Sequence, residues 1–258
     1  IGPRTLDPAL RRLQPGEIVG GTPGQALQYE RYALYRPWLA KPVDRQKALR
    51  ELEDVSVSLL DDLIEDASGR PILVPLSAGL DSRFIASGLR WRGYRDVFCY
   101  AYGLAGNHEA EASRQIAEAL EYPWRFVPYS HLQQADTFAS EDGRAYLRYA
   151  DTLSNIPFQQ DLHAVRVLKD SGFAPEDALF VNGQSGDYIS GNHIPAPLAE
   201  SRQRLFKAII GKHFSLWDAL NTPAALAHIE AALEQDLAAM DAPREAPEAA
   251  LYEASEFN

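Results

Sequence analysis

Apolar residues run without a break from Ile72 to Leu76 and stop at Ser77-Ala78-Gly79. A run this short, bounded by small residues, is the pattern of a buried strand. Phe84, Ile85 and Leu89 then recur at helical spacing until Gly93, with Asp81 and Ser82 as candidate capping residues. The stretch is expected to fold as strand, small-residue loop and helix. Upstream, Leu49, Leu52, Val55, Leu59, Leu60, Leu63 and Ile64 mark an amphipathic helix between Asp44 and Ala67, with an acidic outer face. Downstream, Val97 to Tyr102 reads as a strand ending at Gly103, Glu109 to Leu120 as a helix, and Trp124 to Tyr129 and Ala178 to Val181 as further strands. Phe138 to Lys169 carries two helical patterns broken around Thr152 to Pro157, and the tail from Leu205 is helical. Within that tail Leu226, Ile229, Leu233, Leu237 and Met240 form a stripe expected to be core. Alternating strands and helices predict an α/β fold, a parallel β-sheet flanked by helices with extra C-terminal helices, whose ligands sit at the carboxyl ends of the strands.

Residues 1–40 are rich in Pro and Gly, with scattered aromatics such as Tyr29, Tyr32, Tyr35 and Trp38, and show no period long enough for a domain. They are expected to be a connector, and 41–258 the main domain. With 258 residues and 46% hydrophobic content the chain can bury a full core. A net charge of −11 gives no electrostatic reason to bind nucleic acid or anionic lipid. The one cysteine, Cys99, excludes an internal disulfide, and no apolar run approaches the length of a membrane span. A reducing cytoplasm is the expected location. The six histidines show no paired metal-ligand spacing, so no zinc site is expected.

The chemistry concentrates in the first loop. The unpaired N–H groups and dipole of a helix start form an anion site, and the hydroxyls of Ser77 and Ser82 can donate to phosphate oxygens. Asp81 would be repelled by phosphates unless a cation lay between them, so it is a candidate ligand for Mg²⁺ carrying pyrophosphate. No lysine is present, unlike a Walker-type phosphate loop. A second loop, Asn182-Gly-Gln-Ser-Gly-Asp187, follows the last predicted strand and reaches the same sheet edge.

These loops carry a family resemblance. Ser77-x-Gly79-x-Asp81-Ser82 resembles the Ser-Gly-Gly-x-Asp-Ser loop of the PP-loop ATP pyrophosphatases, whose fold is adenine nucleotide α-hydrolase-like, and Pro75 to Ser82 is closest to the synthetase domain of asparagine synthases. The resemblance implies an ATP- and Mg²⁺-dependent ligase that adenylates a carboxylate, releases pyrophosphate and transfers ammonia to it. It implies nucleotide contacts from Leu76, Ser77, Ala78, Gly79, Leu80, Asp81 and Ser82, with adenine held at Ala101 and Tyr102. The second loop is similar to the second synthase signature, implying roles for Gly183 at the nucleotide and Asp187 at the metal. Asp81, Asp187 and Gln184 take the catalytic positions. Gln184, however, stands where the family carries a carboxylate thought to be a general base, and an amide cannot accept a proton at neutral pH. Ser190-Gly-Asn-His193 replaces the family's aromatic ending and implies a reshaped acceptor pocket, with His193, Ser154, Asn155 and Asp161 as candidate acceptor contacts. Ala78 replaces a usual Gly, harmless only if its φ is negative.

Asp7 to Gly16 resembles the exit of a glutaminase domain and Tyr35 to Trp38 the entry to the synthetase domain. A glutaminase domain is therefore expected in the full-length chain, and the synthetase domain is expected to be truncated at its C-terminus. Without a glutaminase nucleophile, free ammonium is the expected nitrogen donor. Aspartate is the default acceptor. One alternative is a uronic acid in surface-polysaccharide synthesis, and another is an ATP-binding module without catalysis.

Overall fold

The computed structural model describes residues 2–195 and 201–258. In chain order its elements are β1 (Glu17–Gly20), β2 (Gln28–Arg31), α1 (Arg45–Ala67), β3 (Ile72–Pro75), α2 (Leu80–Trp91), β4 (Val97–Gly103), α3 (His108–Ala119), β5 (Trp124–Pro128), α4 (His131–Ala139), α5 (Glu141–Ala150), α6 (Leu162–Asp170), β6 (Leu179–Phe180), α7 (Gly186–Ser190), α8 (Arg202–His213), α9 (Pro223–Ala239) and α10 (Glu248–Phe257). They fall into two compact units, one of Val43–Asp151 with Ile156–Ser190, the other of Ile1–Pro42, Thr152–Asn155 and Gly191–Asn258.

The first unit holds a four-stranded sheet in the order β5-β4-β3-β6, parallel throughout. Ile72, Leu73 and Val74 of β3 are fully buried, as are Val97 and Cys99 of β4. Helices thus cover both faces of the sheet, which is why its central strands are apolar without alternation. One face packs on Ala67, Ala86, Leu89 and Ala117, the other on Ala164 and Leu168. The expected α/β architecture is present. The fourth predicted strand is shorter than Ala178 to Val181, and only Leu179 and Phe180 pair, with Ile72 and Leu73 of β3. Burial pushes the Cys99 thiol up to about 12, as for an inert core residue.

The pattern misreads α1 in part. Leu60 and Ala67 are buried and Leu63 and Ile64 pack on the sheet core, but Leu49, Leu52, Val55 and Leu59 are exposed. Its apolar residues span more of the helix circumference than one buried face requires. Among the described residues no helix is long and apolar enough to cross a membrane.

The second unit combines the antiparallel β1–β2 hairpin with α8, α9 and α10. Leu205, Phe206, Ile209, Ile229, Leu233, Leu237, Leu251 and Tyr252 form its core, against which Trp38 packs. The tail stripe from Ile229 to Met240 is buried as expected, and Leu226 is half-buried. On α10, Glu256 is 4% exposed and accepts from Lys212 Nζ at 2.9 Å and His213 Nε2 at 2.6 Å. Burial alone would push its carboxyl up, but those two donors outweigh it and hold it down at about 2. The native state therefore binds fewer protons than the unfolded chain between the ordinary value of 4.5 and about 2. The pair's stabilisation is complete above that window and is lost as pH falls through it. Lowering the pH from 5 to 3 is expected to remove about 1–2 kcal/mol of stability from the wild type that Glu256→Gln does not lose. Urea midpoints of both proteins at the two pH values check this, and equal losses would refute it.

Candidate functional site

β3 pairs with β4 on one side and with β6 on the other, so the chain order reverses at β3. Loops leaving two such strands diverge and open a crevice at their carboxyl ends, the place where open α/β sheets bind ligands. Here a cavity of about 310 Å³ is lined by Pro75, Ser77, Asp81 and Ser82 after β3, Tyr102 at the end of β4, Phe158, Gln160 and Asp161 before α6, and Asn182, Gly183, Gln184 and Asp187 after β6.

The first loop is tied by its own hydroxyls. Ser82 Oγ accepts from the Ser77 N–H at 3.1 Å and lies 3.0 Å from Ser77 Oγ, which accepts from the Gly79 N–H at 3.1 Å. The hydroxyl pair uses one of its two hydrogens, so the other can serve a ligand. The helix cap is Gly79, without any side-chain bond, and Asp81 sits inside the first turn. The expectation that Asp81 and Ser82 cap α2 is corrected, because Ser82 turns inward to Ser77 and Asp81 lies beyond the cap position. Asp81 is left exposed, facing the cavity. Ala78 has a negative φ, so its methyl causes no backbone strain.

The second loop comes into direct contact with the first through two glycines. A Cβ at Gly183 would stand 2.6 Å from Ser82 N and 2.7 Å from Asp81 C. A Cβ at Gly186 would stand 2.1 Å from Asp81 Oδ1. Only glycine permits this approach. Asn182 Oδ1 accepts from the Gln184 N–H at 3.1 Å and shapes the turn, and Asp187 follows in the first turn of α7.

A third wall is set by two tyrosines. Asp161 stands at the N-cap of α6, yet its carboxylate makes no capping bond and instead accepts from Tyr102 Oη. Tyr129 Oη does that work, accepting from the Ala164 N–H at 3.2 Å and donating to the Gln160 carbonyl at 2.8 Å. The Tyr102 and Tyr129 rings stack at 4.9 Å. Burial pushes the Tyr129 phenol up to about 12, and burial together with the bond to Asp161 raises Tyr102 further. Both stay protonated at neutral pH, so Tyr102 remains a donor to Asp161. Behind them, His163 bonds Thr137 Oγ1 at 2.7 Å through Nδ1, and burial, then Arg166, lowers its pKa.

Of the residues singled out in the sequence, Ser77, Asp81, Ser82, Tyr102, Asp161, Gly183, Gln184 and Asp187 line this one cavity. Leu76 is buried beneath it, its N–H bonded to the Tyr100 carbonyl at 2.8 Å. Ala78, Gly79, Leu80 and Ala101 flank the lining residues in sequence without lining the cavity themselves. Ser154, Asn155 and His193 belong to the other compact unit. There Ser154 Oγ bonds Thr152 Oγ1, Arg12 bonds the Asn155 amide, and the His193 ring lies 6.3 Å from that of Tyr252. Phe158, Gln160, Asn182 and Gly186 were not singled out. The one available signal was Gly186 itself, a second glycine directly before Asp187.

No family model matches the chain, and no curated protein matches it. Among solved structures, the NH3-dependent NAD synthetase from Campylobacter jejuni subsp. jejuni NCTC 11168 in complex with the nitrate ion is similar at 15% identity, over 79% of this chain and 99% of that one, with a TM-score of 0.33.

Proposed function

We propose that the chain is an ATP-dependent amide-forming ligase of the asparagine synthase-like kind. The observation that carries this reading is the meeting of two loops, Ser77 to Ser82 and Gly183 to Asp187, around one cavity at the reversal point of a parallel sheet. The α2 start and the spare serine hydroxyl hydrogen bind phosphate oxygens. The acceptor carboxylate oxygen attacks the α-phosphorus of ATP, the bond to the β-phosphate oxygen breaks, and pyrophosphate leaves. Ammonia then attacks the acyl carbon and AMP departs. Gln184 lines the cavity but cannot take the proton that the attacking ammonia sheds. Asp161, the lining carboxylate not needed for a cation, is the one placed to do so.

Mg²⁺ fits the donor set. Asp81 and Asp187 face the same cavity, and two carboxylates with phosphate and water oxygens are a usual magnesium environment. These two residues would hold the ion, which when bound neutralises the charge of the departing pyrophosphate. Among the described residues there is no cluster of three or more acidic, His or Cys side chains, so an ion held by Asp81 and Asp187 would draw its remaining ligands from substrate and water.

For the acceptor, the lining favours a sugar carboxylate over aspartate. Phe158 supplies an aromatic face, and Gln160, Asp161 and Asn182 supply acceptors and donors for hydroxyls. A uronic acid, as found in surface polysaccharides, uses all of these. The test is a pyrophosphate-release assay with ATP, Mg²⁺, ammonium and a panel of carboxylic acids. Release that depends on a uronic acid and is weak with millimolar aspartate is expected. Robust release with aspartate would return the default acceptor, and magnesium-dependent ATP binding without release from any acceptor would make the chain a nucleotide-binding module.

A further inference from the structure

Helix α1 has apolar residues on two sides. Leu60 and Ala67 face the sheet core, whereas Leu52, Val55 and Leu59 are 51%, 54% and 59% exposed. With Ala48, these three continue a strict spacing of three and four residues that reaches Arg45 at one end and Asp62 at the other. That is the heptad seam of a helix pair. The six positions are symmetric about a point between Leu52 and Val55. We propose that α1 pairs antiparallel with α1 of a second copy of this chain.

Charge decides both the occupant and the direction. In the antiparallel register Leu52 meets the partner's Val55, Ala48 meets the partner's Leu59, and Arg45 meets the partner's Asp62, each contact occurring twice by symmetry. A parallel pair would place like charges together at both ends. Three other charges on α1 are engaged elsewhere, Lys47 with Glu51 at 3.6 Å and Asp61 with Arg92 at 2.6 Å. The seam is about 26 Å long at a rise of about 1.5 Å per residue. One helix pair of that length stays below the ~1,200 Å² of a standard interface, so the dimer is weak, with a Kd in the micromolar range.

Sedimentation of the purified chain between about 1 and 100 µM tests this, since that range brackets such a Kd. The wild type is expected to shift from monomer to dimer. Leu52→Asp, at a position more than half exposed, is expected to keep its thermal melt and stay monomeric. Arg45→Glu and Asp62→Arg alone should each weaken dimerisation about tenfold, and the two together should restore it, because the swapped charges again meet opposite partners. A monomer at every concentration would overturn the proposal and leave the face to a different protein. A dimer untouched by Leu52→Asp would place the interface elsewhere, and failure of the double variant to recover would refute the antiparallel register.

Discussion

Replacing Asp81 with Asn is expected to weaken magnesium-dependent ATP binding sharply while leaving the protein folded. Asp81 lies within the first turn of α2, and the cap position belongs to Gly79. Asn keeps the size of the side chain, and the helix loses only the attraction of one carboxylate to its N-terminal dipole, about 0.3–1 kcal/mol. What disappears is half of the charge facing the cavity from Asp81 and Asp187. A cation carrying pyrophosphate would then be held by one carboxylate, and the Kd for ATP in the presence of Mg²⁺ should rise by at least about tenfold. Affinity without Mg²⁺ should stay the same or improve, because a carboxylate that repels phosphate has been removed. Calorimetric titration of ATP with and without Mg²⁺ into both proteins, with a thermal melt as the control, reads each of these. Equal magnesium-dependent affinity would remove the main reason for regarding the first loop as a pyrophosphate site.

The second large effect is expected at the glycines that let the loops touch, and the two positions should behave differently. At Gly183 an added methyl meets Ser82 N and Asp81 C, 2.6 and 2.7 Å away, both backbone atoms of the α2 start. Gly183→Ala should force the loops apart, at a cost of about 1–3 kcal/mol, and weaken ATP binding with or without Mg²⁺. At Gly186 the methyl meets only the Asp81 side chain, most closely its carboxylate and then its Cβ at 2.9 Å. Gly186→Ala should lose less stability than Gly183→Ala and turn Asp81 away, so that the magnesium-dependent part of binding is lost. Wild-type magnesium dependence in Gly186→Ala would show that the present orientation of Asp81 does not matter to the nucleotide.

The strand, loop and helix around Ser77 were legible because each is set by neighbours in sequence: an uninterrupted apolar run, three small residues, then a 3.6-residue period. The second loop was recognisable from its local Gly and Asp pattern, through a family resemblance and not through periodicity. Other features depend on partners far along the chain. Asp161 carries the residue type of a helix cap, and only the approach of Tyr102 from β4 engages its carboxylate elsewhere, while Tyr129, just after β5, takes over the Ala164 N–H. Gly186 looks like any loop glycine until Asp81 is seen against it. The apolar positions of α1 predicted a helix correctly but could not say which of them the core would use. His193 stands six residues after Asp187, yet it belongs to a different compact unit, a division that local periodicity does not encode.

β6 consists of two residues, in register with Ile72 and Leu73 and tied to β3 by the Leu179 and Val181 N–H groups at the Pro71 and Leu73 carbonyls, whereas β3, β4 and β5 form longer ladders. The half of the site contributed by Asn182 to Asp187 therefore hangs on the least secured strand, about a hundred residues in sequence from its counterpart at Ser77. Sequence-distant pairings of this kind close late in folding, since the intervening chain must first be ordered. The three-stranded β3-β4-β5 sheet can persist while β6 and the loop after it open, at a free energy below that of global unfolding. Any ligand that bridges the two loops closes that local opening, so occupancy protects a segment of the native state that the sheet by itself leaves loose.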